Sequence, residues 1–345
     1  MGIHVGFNIK NPKPTQQSIK RGLKQAIQAG LSLTAPYTDW ALLESKNGKY
    51  NKHELKEVLD NAKEKGLRPL LFIPAIDSEE LVIPEYMKGE GNFDIIGNRR
   101  LDDPFVIERY KKLLDWVIPM ASEYDAWGLL VGNEPDNYLD DHPEKTDEIV
   151  NFLIAVRDYA HTLNPKMAVT MSLNNGSIEN KQNAFIHKII KESDFAAYNF
   201  YCNDTIKGGV SYDEVKSRLN IRIKAAENKD IIFQELGCPS GSPNIQSPLI
   251  SSEEKQRQWF ETFFKIMQET PQIRGAYLFT LVDGDDNFAK MYNDILKEEG
   301  MPESFINYIV EAFSTIGLID YKTGKFKTGW DEIIKGIKNT TSTQN

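Results

Sequence analysis

Two glutamates stand where short apolar stretches of the sequence end, a position from which a carboxyl group can do chemistry. Glu134 closes the stretch Trp127–Asn133 and precedes Pro135, which cannot donate a ladder hydrogen bond and therefore ends the strand. Glu235 closes the later stretch Asp230–Gln234. Two carboxyl groups at equivalent strand ends can act as a paired acid and base, or as an acid and a nucleophile.

Cleavage of a glycosidic bond usually employs such a pair, because its transition state resembles an oxocarbenium ion. If the two carboxyl groups lie about 5 to 5.5 Å apart, the mechanism is retaining. We then expect Glu235 to attack the anomeric carbon, while Glu134 protonates the departing oxygen and later activates water. The negative charge of Glu235 is expected to keep the proton on Glu134 until the ester forms.

The elements that must position these residues alternate regularly between strand and helix patterns. The predicted strands are His4–Asn8, Leu31–Ala35, Arg68–Pro74, Ala126–Asn133, Met167–Ser172, Asp194–Tyr201, Asp230–Glu235 and Gly275–Thr280. The predicted helices are Gln17–Ala29, Lys52–Lys65, Pro104–Ala121, Thr146–Leu163, Ala184–Lys191, Tyr212–Glu227, Glu253–Thr270 and Trp330–Ile337. Eight strand and helix units predict an α/β fold, a (β/α)8 TIM barrel in a single domain.

Two long stretches interrupt this alternation, Ile76–Asp102 after the third strand and Leu281–Asn307 after the eighth. Loops that follow the strands form the active face of a barrel, so both are expected to wall a substrate cleft. We expect the barrel to occupy residues 1–337, with residues 338–345 as a polar, disordered tail.

The composition excludes several classes of protein. A net charge of −9 over 345 residues argues against a nucleic-acid partner. No apolar run reaches the roughly 20 residues that span a bilayer, which argues against a membrane partner, and no signal peptide is visible. Cellular location stays open between the cytoplasm and a secreted protein in mature or recloned form. The oligomeric state is also open.

The chain has only two cysteines, Cys202 and Cys238, too few for a disulfide scaffold. They follow neighbouring predicted strands and could approach each other, but free thiols are the expectation. No Cys/His spacing matches a structural zinc site, and we expect neither a metal nor a cofactor.

The run Gly132-Asn133-Glu134-Pro135, followed by Glu235 at a later strand end, resembles the clan A glycoside hydrolases, retaining β-glycosidases on this barrel. The resemblance covers roughly residues 30 to 330. It implies that Glu134 is the acid/base on strand four and that Glu235 is the nucleophile on strand seven. It also implies that Asn133 binds the sugar 2-hydroxyl.

Further positions carry the same resemblance. Asn199 stands where the clan's sixth strand usually has histidine, and Tyr201 is expected to donate its hydroxyl to the nucleophile. Phe279 stands where the clan usually has a tryptophan floor under the catalytic subsite. The chain departs from several families of the clan because Leu31–Ala35 contains no arginine and Pro74-Ala75 replaces a histidine.

Two more residues are predicted substrate contacts with open alternatives. Trp40 could stack on a pyranose ring or fill the core. Asp283 opens an acidic run that indicates a solvated or sugar-binding loop rather than a calcium loop.

The sequence thus favours a retaining hydrolase of β-glycosidic bonds in an oligo- or polysaccharide. A carbohydrate-binding protein that has lost turnover is the main alternative, and transglycosylation through the same covalent intermediate is a third.

Overall fold

A computed structural model describes residues 1–4, 11–46, 48–180, 184–202, 210–241, 251–298 and 300–342. Eight parallel strands lie in one sheet that closes on itself: β1 Gly2–Ile3, β2 Leu33–Thr34, β3 Arg68–Phe72, β4 Gly128–Asn133, β5 Ala168–Leu173, β6 Ala196–Tyr201, β7 Ile231–Gly237 and β8 Ile273–Leu278. The order runs β3-β2-β1-β8-β7-β6-β5-β4, and pairing of β3 with β4 closes the barrel.

One main helix accompanies each strand on the outside of the barrel: α1 Lys13–Ala29, α2 Lys52–Glu64, α3 Pro104–Ser122, α4 Thr146–Leu163, α5 Ala184–Glu192, α6 Tyr212–Ala226, α7 Glu253–Glu269 and α8 Gly329–Ser342. The predicted (β/α)8 TIM barrel is therefore confirmed. The local signals act as expected at α3, where the Asp103 side chain accepts a hydrogen bond from the amide of Phe105 and Pro104 begins the helix. Among the described helices, none is long and apolar enough to cross a membrane.

Strand and helix bounds agree with the predictions to within a few residues, except at the two ends of the chain. The first strand is Gly2–Ile3 rather than His4–Asn8, of which residues 5–8 lie outside the described part of the chain. The predicted tail is wrong at its start, because α8 continues to Ser342. Its last turn is supported by the Thr340 hydroxyl, which donates to the carbonyls of Gly336 and Ile337 at 3.1 and 2.9 Å.

Both predicted long loops contain structure of their own. The loop after the third strand, called the third loop below, forms a small antiparallel hairpin, Ile76–Asp77 with Glu80–Leu81. A 3-10 turn at Glu85–Met87 follows the hairpin. The loop after the eighth strand, called the eighth loop below, forms two helices, Asp286–Glu298 and Glu303–Thr315. The remaining short elements are the helices Trp40–Leu43, Pro135–Asp141 and Asn175–Asn180, the 3-10 turn Pro143–Lys145, and the hairpin Glu44–Lys46 with Lys49–Tyr50.

A separate small apolar cluster lies among the barrel strands. It contains Ala35, Leu70, Phe195, Ala197, Ile232 and Tyr277, with Leu33, Trp127 and Ala168 packed against it. The Trp127 indole donates to the Tyr277 hydroxyl at 3.2 Å, so the polar atoms of both rings are partnered there. Close packing of this kind makes a barrel interior a solid platform for the residues at its rim.

The expectation of free thiols is wrong, because Cys202 and Cys238 form a disulfide bond. The cause is the pairing of β6 with β7. Tyr201 and Gly237 are register partners, and the amide of Cys202 donates to the carbonyl of Gly237 at 3.2 Å. The two cysteines therefore follow side by side with a Cα–Cα distance of 5.0 Å, within the range that a disulfide spans.

Candidate active site

Glu134 is the first residue after β4. Its amide donates to the carbonyl of Ser172 at 2.9 Å, which continues the pairing with β5. The backbone then turns into the left-handed region, with φ 46° and ψ 41° at Glu134, and a short helix starts at Pro135. A non-glycine residue in this conformation is uncommon and persists where the surroundings hold it, as they often do at functional sites.

Three side chains donate hydrogen bonds to the half-buried Glu134 carboxyl group. Asn199 Nδ2 donates to Oε1 at 2.6 Å, and Ser78 Oγ and Asn137 Nδ2 donate to Oε2 at 3.2 Å each. The donors come from β6, from the third loop and from the helix that follows Glu134. Three separate segments of the chain therefore fix the orientation of this carboxyl group.

Glu235 lies on β7 and accepts a hydrogen bond at Oε2 from the hydroxyl of Tyr201, as the sequence predicts. Burial raises the pKa of Glu235 well above its usual value, and the nearby charge of Glu134 raises it further. The hydrogen bond from Tyr201 acts in the opposite direction, because it stabilises the ionised form. Among the described residues, no lysine or arginine bonds to either glutamate.

Asn199 connects the two glutamates. It is the register partner of Glu235 in the pairing of β6 with β7, where neighbouring strands lie roughly 4.8 Å apart. A register shift between Tyr198 and Asn199 accompanies this pairing, and the Asn199 side chain is fully buried. Because its amide reaches Glu134 while its backbone lies beside Glu235, both carboxyl groups belong to one site.

Asn133 is held at both ends of its side chain. Its Nδ2 donates to Asp77 Oδ1 at 2.9 Å, and its Oδ1 accepts from Ser172 Oγ at 2.6 Å. Burial raises the pKa of Asp77 to about 6, an effect that the hydrogen bond from Asn133 opposes and the charge of Glu134 reinforces. Asn133 therefore lies beside Glu134 with a fixed orientation, and its contact with a sugar stays a prediction.

An aromatic wall, formed by Phe279, Tyr292 and Phe313, stands beside the carboxyl groups. Phe279 follows β8 and is half-buried, and its ring lies 6.3 Å from that of Tyr201 and 6.3 Å from that of Phe313. Tyr292, on the first helix of the eighth loop, packs against Phe313 with 5.2 Å between the ring centres. Burial raises the pKa of Tyr292 to about 12, with contributions from the charges of Asp77, Glu235 and Glu134, so its phenol stays neutral at physiological pH.

Trp40 does not reach this site, and its predicted sugar contact is wrong. Its side chain is fully buried, and the indole donates to Glu44 at 3.0 Å. Glu44 also accepts from Tyr86 at 2.7 Å and from Arg109. Trp40 and Glu44 therefore build a buried polar cluster in the segment between β2 and α2, because a buried carboxylate needs such partners.

Asp283 is also a structural residue, and its prediction as a sugar contact is wrong. Its side chain is buried and pairs with Lys327 at 2.6 Å. Lys327 donates further to Ser240 Oγ at 3.0 Å and to the carbonyl of Thr315 at 2.9 Å. The ion pair ties the start of the eighth loop to the segment before α8.

Sequence reasoning missed Asp77, Ser78, Asn137 and Tyr292. Asp77 and Ser78 directly follow the third strand region, where a polar pair after an apolar run is a signal for the active face. Asn137 lies three residues after Glu134, a spacing that brings two helical side chains together. Tyr292 had no comparable signal, because its position depends on the packing of a helical insertion. The described residues contain no group of three or more potential metal ligands.

No protein-family model matches this sequence, and no curated protein matches it. Solved structures with the same fold include the GH5_18 protein from Streptomyces cattleya in complex with GlcNAc, with a TM-score of 0.69 and 13% identity over 99% of this chain and 81% of that one. A GH5_18 variant from Bifidobacterium longum in complex with Manβ1-4GlcNAc has a TM-score of 0.67 and 16% identity, covering 99% and 78%. Native xylanase 10B from Thermotoga maritima has a TM-score of 0.64 and 13% identity, covering 99% and 96%. The fold implied by the resemblance to the clan A glycoside hydrolases is thus confirmed.

Proposed function

We propose that this protein is a retaining glycoside hydrolase that cleaves β-glycosidic bonds, with Glu235 as nucleophile and Glu134 as acid/base. The observation that carries the proposal is the bridge made by Asn199, which lies beside Glu235 in the strand register and donates to Glu134 at 2.6 Å. Two carboxyl groups that interact electrostatically at the mouth of a barrel suit double displacement.

In the first step a carboxylate oxygen of Glu235 attacks the anomeric carbon, the bond to the leaving oxygen breaks, and Glu134 gives that oxygen its proton. In the second step Glu134 takes a proton from water, the water oxygen attacks the same carbon, and the ester bond to Glu235 breaks. The anomeric configuration is inverted twice and therefore retained. Both carboxyl groups end in their starting state.

The surroundings of each glutamate fit its role. Tyr201 donates to Glu235 and so favours the ionised nucleophile. Ser78 can serve Glu134 in both protonation states, because a hydroxyl group donates to a carboxylate and accepts from a carboxylic acid. Asn199 Nδ2 donates to Oε1 and Asn137 Nδ2 donates to Oε2, so each oxygen of the ionised Glu134 carboxylate has an amide donor.

The proposed substrate is a neutral β-linked oligosaccharide. The carboxyl groups of Asp77, Glu134 and Glu235 influence one another electrostatically, and no described lysine or arginine bonds to the two glutamates, which disfavours an anionic sugar. The aromatic wall offers faces and edges for packing a sugar ring. GlcNAc and Manβ1-4GlcNAc in the neighbouring GH5_18 structures, together with an exo-β-1,4-mannosidase from an Opitutaceae bacterium and the xylanase, define a first panel of β-mannosides and β-xylosides.

The test is hydrolysis of this panel by the wild type, Glu134→Ala, Glu235→Ala and the control Glu64→Gln, which changes an exposed carboxyl group on α2. We expect both active-site variants to lose at least about 1000-fold in kcat while the control keeps full activity. Azide should restore turnover to Glu134→Ala, because a small anion can attack the glycosyl ester without a general base. A 2-fluoro glycoside should label Glu235, and label on another residue contradicts the assignment.

The second candidate is a glycan-binding protein without turnover on the same barrel. The observation that favours it is the raised pKa of Glu235, which carries no partner cation among the described residues. Calorimetric binding of a panel sugar by a wild type whose turnover equals that of Glu235→Ala would support this candidate over the hydrolase.

A further inference from the structure

The Cys202–Cys238 disulfide lies close in sequence to Tyr201 and Glu235, which are joined by a hydrogen bond from the Tyr201 hydroxyl. Tyr201 precedes Cys202, and Cys238 comes three residues after Glu235. Sequence reasoning expected free thiols here, and nothing in the two-carboxylate mechanism requires a disulfide. Its place in the fold therefore calls for a separate explanation.

One end of the disulfide is anchored independently of the active site. The carbonyl of Cys238 accepts from Gln256 Nε2 at 2.8 Å, and Gln256 is a fully buried residue of α7. Two residues further on, the amide of Ser240 donates to the carbonyl of Thr315 at 2.9 Å. Cys238 is thus held by an outer helix and by the eighth-loop segment, and it provides a fixed point for Cys202.

At the other end of the disulfide, Tyr201 directly precedes Cys202 in the sequence. The Tyr201 ring packs directly on the backbone of Gly237, where an added Cβ would lie 3.1 Å from Tyr201 Cε1 and 2.5 Å from the carbonyl oxygen of Phe279. This close approach requires glycine, and it leaves the ring little space to move. A small shift of Tyr201 relative to Gly237 would move the hydroxyl away from Glu235.

We propose that the Cys202–Cys238 disulfide is a positioning element that keeps the Tyr201 hydroxyl on the Glu235 carboxylate. Without the covalent link, β6 and β7 would remain paired, because their parallel register runs from Ala196 with Ile231 to Tyr201 with Gly237. Loss of the disulfide would instead shift the ends of the two strands, where the Tyr201 hydroxyl contacts Glu235. The catalytic consequence rests on the hydrolase function proposed above, whereas the structural consequence does not.

The test uses a readout that does not require turnover. The titration of Glu235 is followed by NMR of a ¹³C-carboxyl-labelled protein, with the signal assigned by its loss in Glu235→Gln. In the double variant Cys202→Ala/Cys238→Ala, we expect the midpoint of this titration to rise by about 1 pH unit, because a hydrogen bond to the ionised form is weakened. Wild-type protein reduced by a trialkylphosphine under native conditions gives a second route to the same state.

Two further variants separate positioning from general loss of stability. Val156→Ala removes buried volume from α4 on the outside of the barrel, and it should lower the melting temperature without moving the Glu235 midpoint. In a Tyr201→Phe background, where the hydroxyl is absent, loss of the disulfide should cause no additional shift. If the protein hydrolyses glycosides, the acid limb of kcat/KM should follow the NMR midpoint.

An unchanged Glu235 midpoint in both the double variant and the reduced protein overturns the proposal, and so does an equal shift in the Tyr201→Phe background. Such a result would leave the hydrolase function standing if the wild type turns over substrate. Absence of turnover in the wild type, with the expected midpoint shift present, would instead remove the proposed function and retain the positioning role.

Discussion

Asn199 donates a hydrogen bond from Nδ2 to Oε1 of Glu134 over 2.6 Å. The bond crosses from β6 to the end of β4, and it is made by a fully buried side chain. A carboxyl group with fixed orientation can present its proton to one leaving oxygen, so this contact bears directly on proton transfer.

Asn199→Ala should therefore lower kcat while leaving the fold intact. Loss of one hydrogen bond to a buried or charged partner costs about 1–3 kcal/mol, which corresponds to roughly 5- to 150-fold in rate. Steady-state kinetics on the best panel substrate measure the effect. Asn199→His, which places the usual residue of the clan at this position, is the matched variant and should keep more activity because an imidazole can also donate. Equal losses in both variants would indicate that side-chain volume matters rather than donation.

Asp77→Asn should move the acid limb of kcat/KM to lower pH. The charge of Asp77 contributes to the raised pKa of Glu235, so removing it favours the ionised nucleophile. An asparagine oxygen at this position can still accept from Asn133, which bonds to Asp77 at 2.9 Å. We expect a shift of about 0.5 pH unit or more, measured from a full pH profile. Glu80→Gln, in the same hairpin, is the control, and a larger shift in the control would contradict the assignment to Asp77.

Glu235→Gln should stabilise the protein at neutral and basic pH. The folded pKa of Glu235 is raised, so the wild type loses folding free energy as pH rises from the ordinary value of an unfolded glutamate, near 4.3, through the higher folded value. The amide carries no charge to bury. We expect the melting temperature of the variant to exceed that of the wild type by about 2–5 °C at pH 8, with the difference shrinking at pH 4.

Differential scanning calorimetry at both pH values checks this, with Glu64→Gln as the exposed control. A melting temperature of Glu235→Gln below that of the wild type at pH 8 would show that the ionised carboxylate makes a net favourable contribution to the fold.

Asp283→Ala should destabilise the protein without affecting sugar binding in the folded fraction. The substitution leaves the buried ammonium of Lys327 with two acceptors, Ser240 Oγ at 3.0 Å and the Thr315 carbonyl at 2.9 Å. Breaking a buried ion pair in this way costs about 3–5 kcal/mol. Denaturant unfolding gives the loss, and the double variant Asp283→Leu/Lys327→Met should recover most of it. An increase in KM with unchanged stability would instead return Asp283 to the role of a sugar contact.

The fold could be predicted from the sequence because each strand and each helix of a barrel is specified by residues that are close together in the sequence. Helices such as Pro104–Ser122 carry their own start signal and apolar stripe, and strands such as Gly128–Asn133 are short apolar runs with a clear end. The eighth loop shows the limit of this reasoning. The sequence pattern predicts only a long excursion where the structure has two helices, Asp286–Glu298 and Glu303–Thr315, because a loop that packs on the barrel depends on contacts distant in sequence.

The site residues likewise divide into those that the sequence predicts and those that it cannot resolve. The places of Glu134 and Glu235 follow from the apolar runs that end at them, and the contact of Tyr201 with Glu235 is implied by the resemblance to the clan. Trp40 and Asp283 could not be resolved from their types, because an aromatic ring or a carboxylate serves a buried cluster as well as a sugar.

By itself, the sequence determined the eight strand and helix units and two carboxyl groups at strand ends, because residue type and short-range periodicity encode both. The tertiary structure alone decided which partners these groups have. Asn199 and Glu134 are 65 positions apart in the sequence, Ser78 and Glu134 are 56 positions apart, and the two cysteines are 36 positions apart. Contacts of this kind arise only when the closed barrel brings its strand ends to one rim, where hydrogen bonding and burial then set the charge of each carboxyl group.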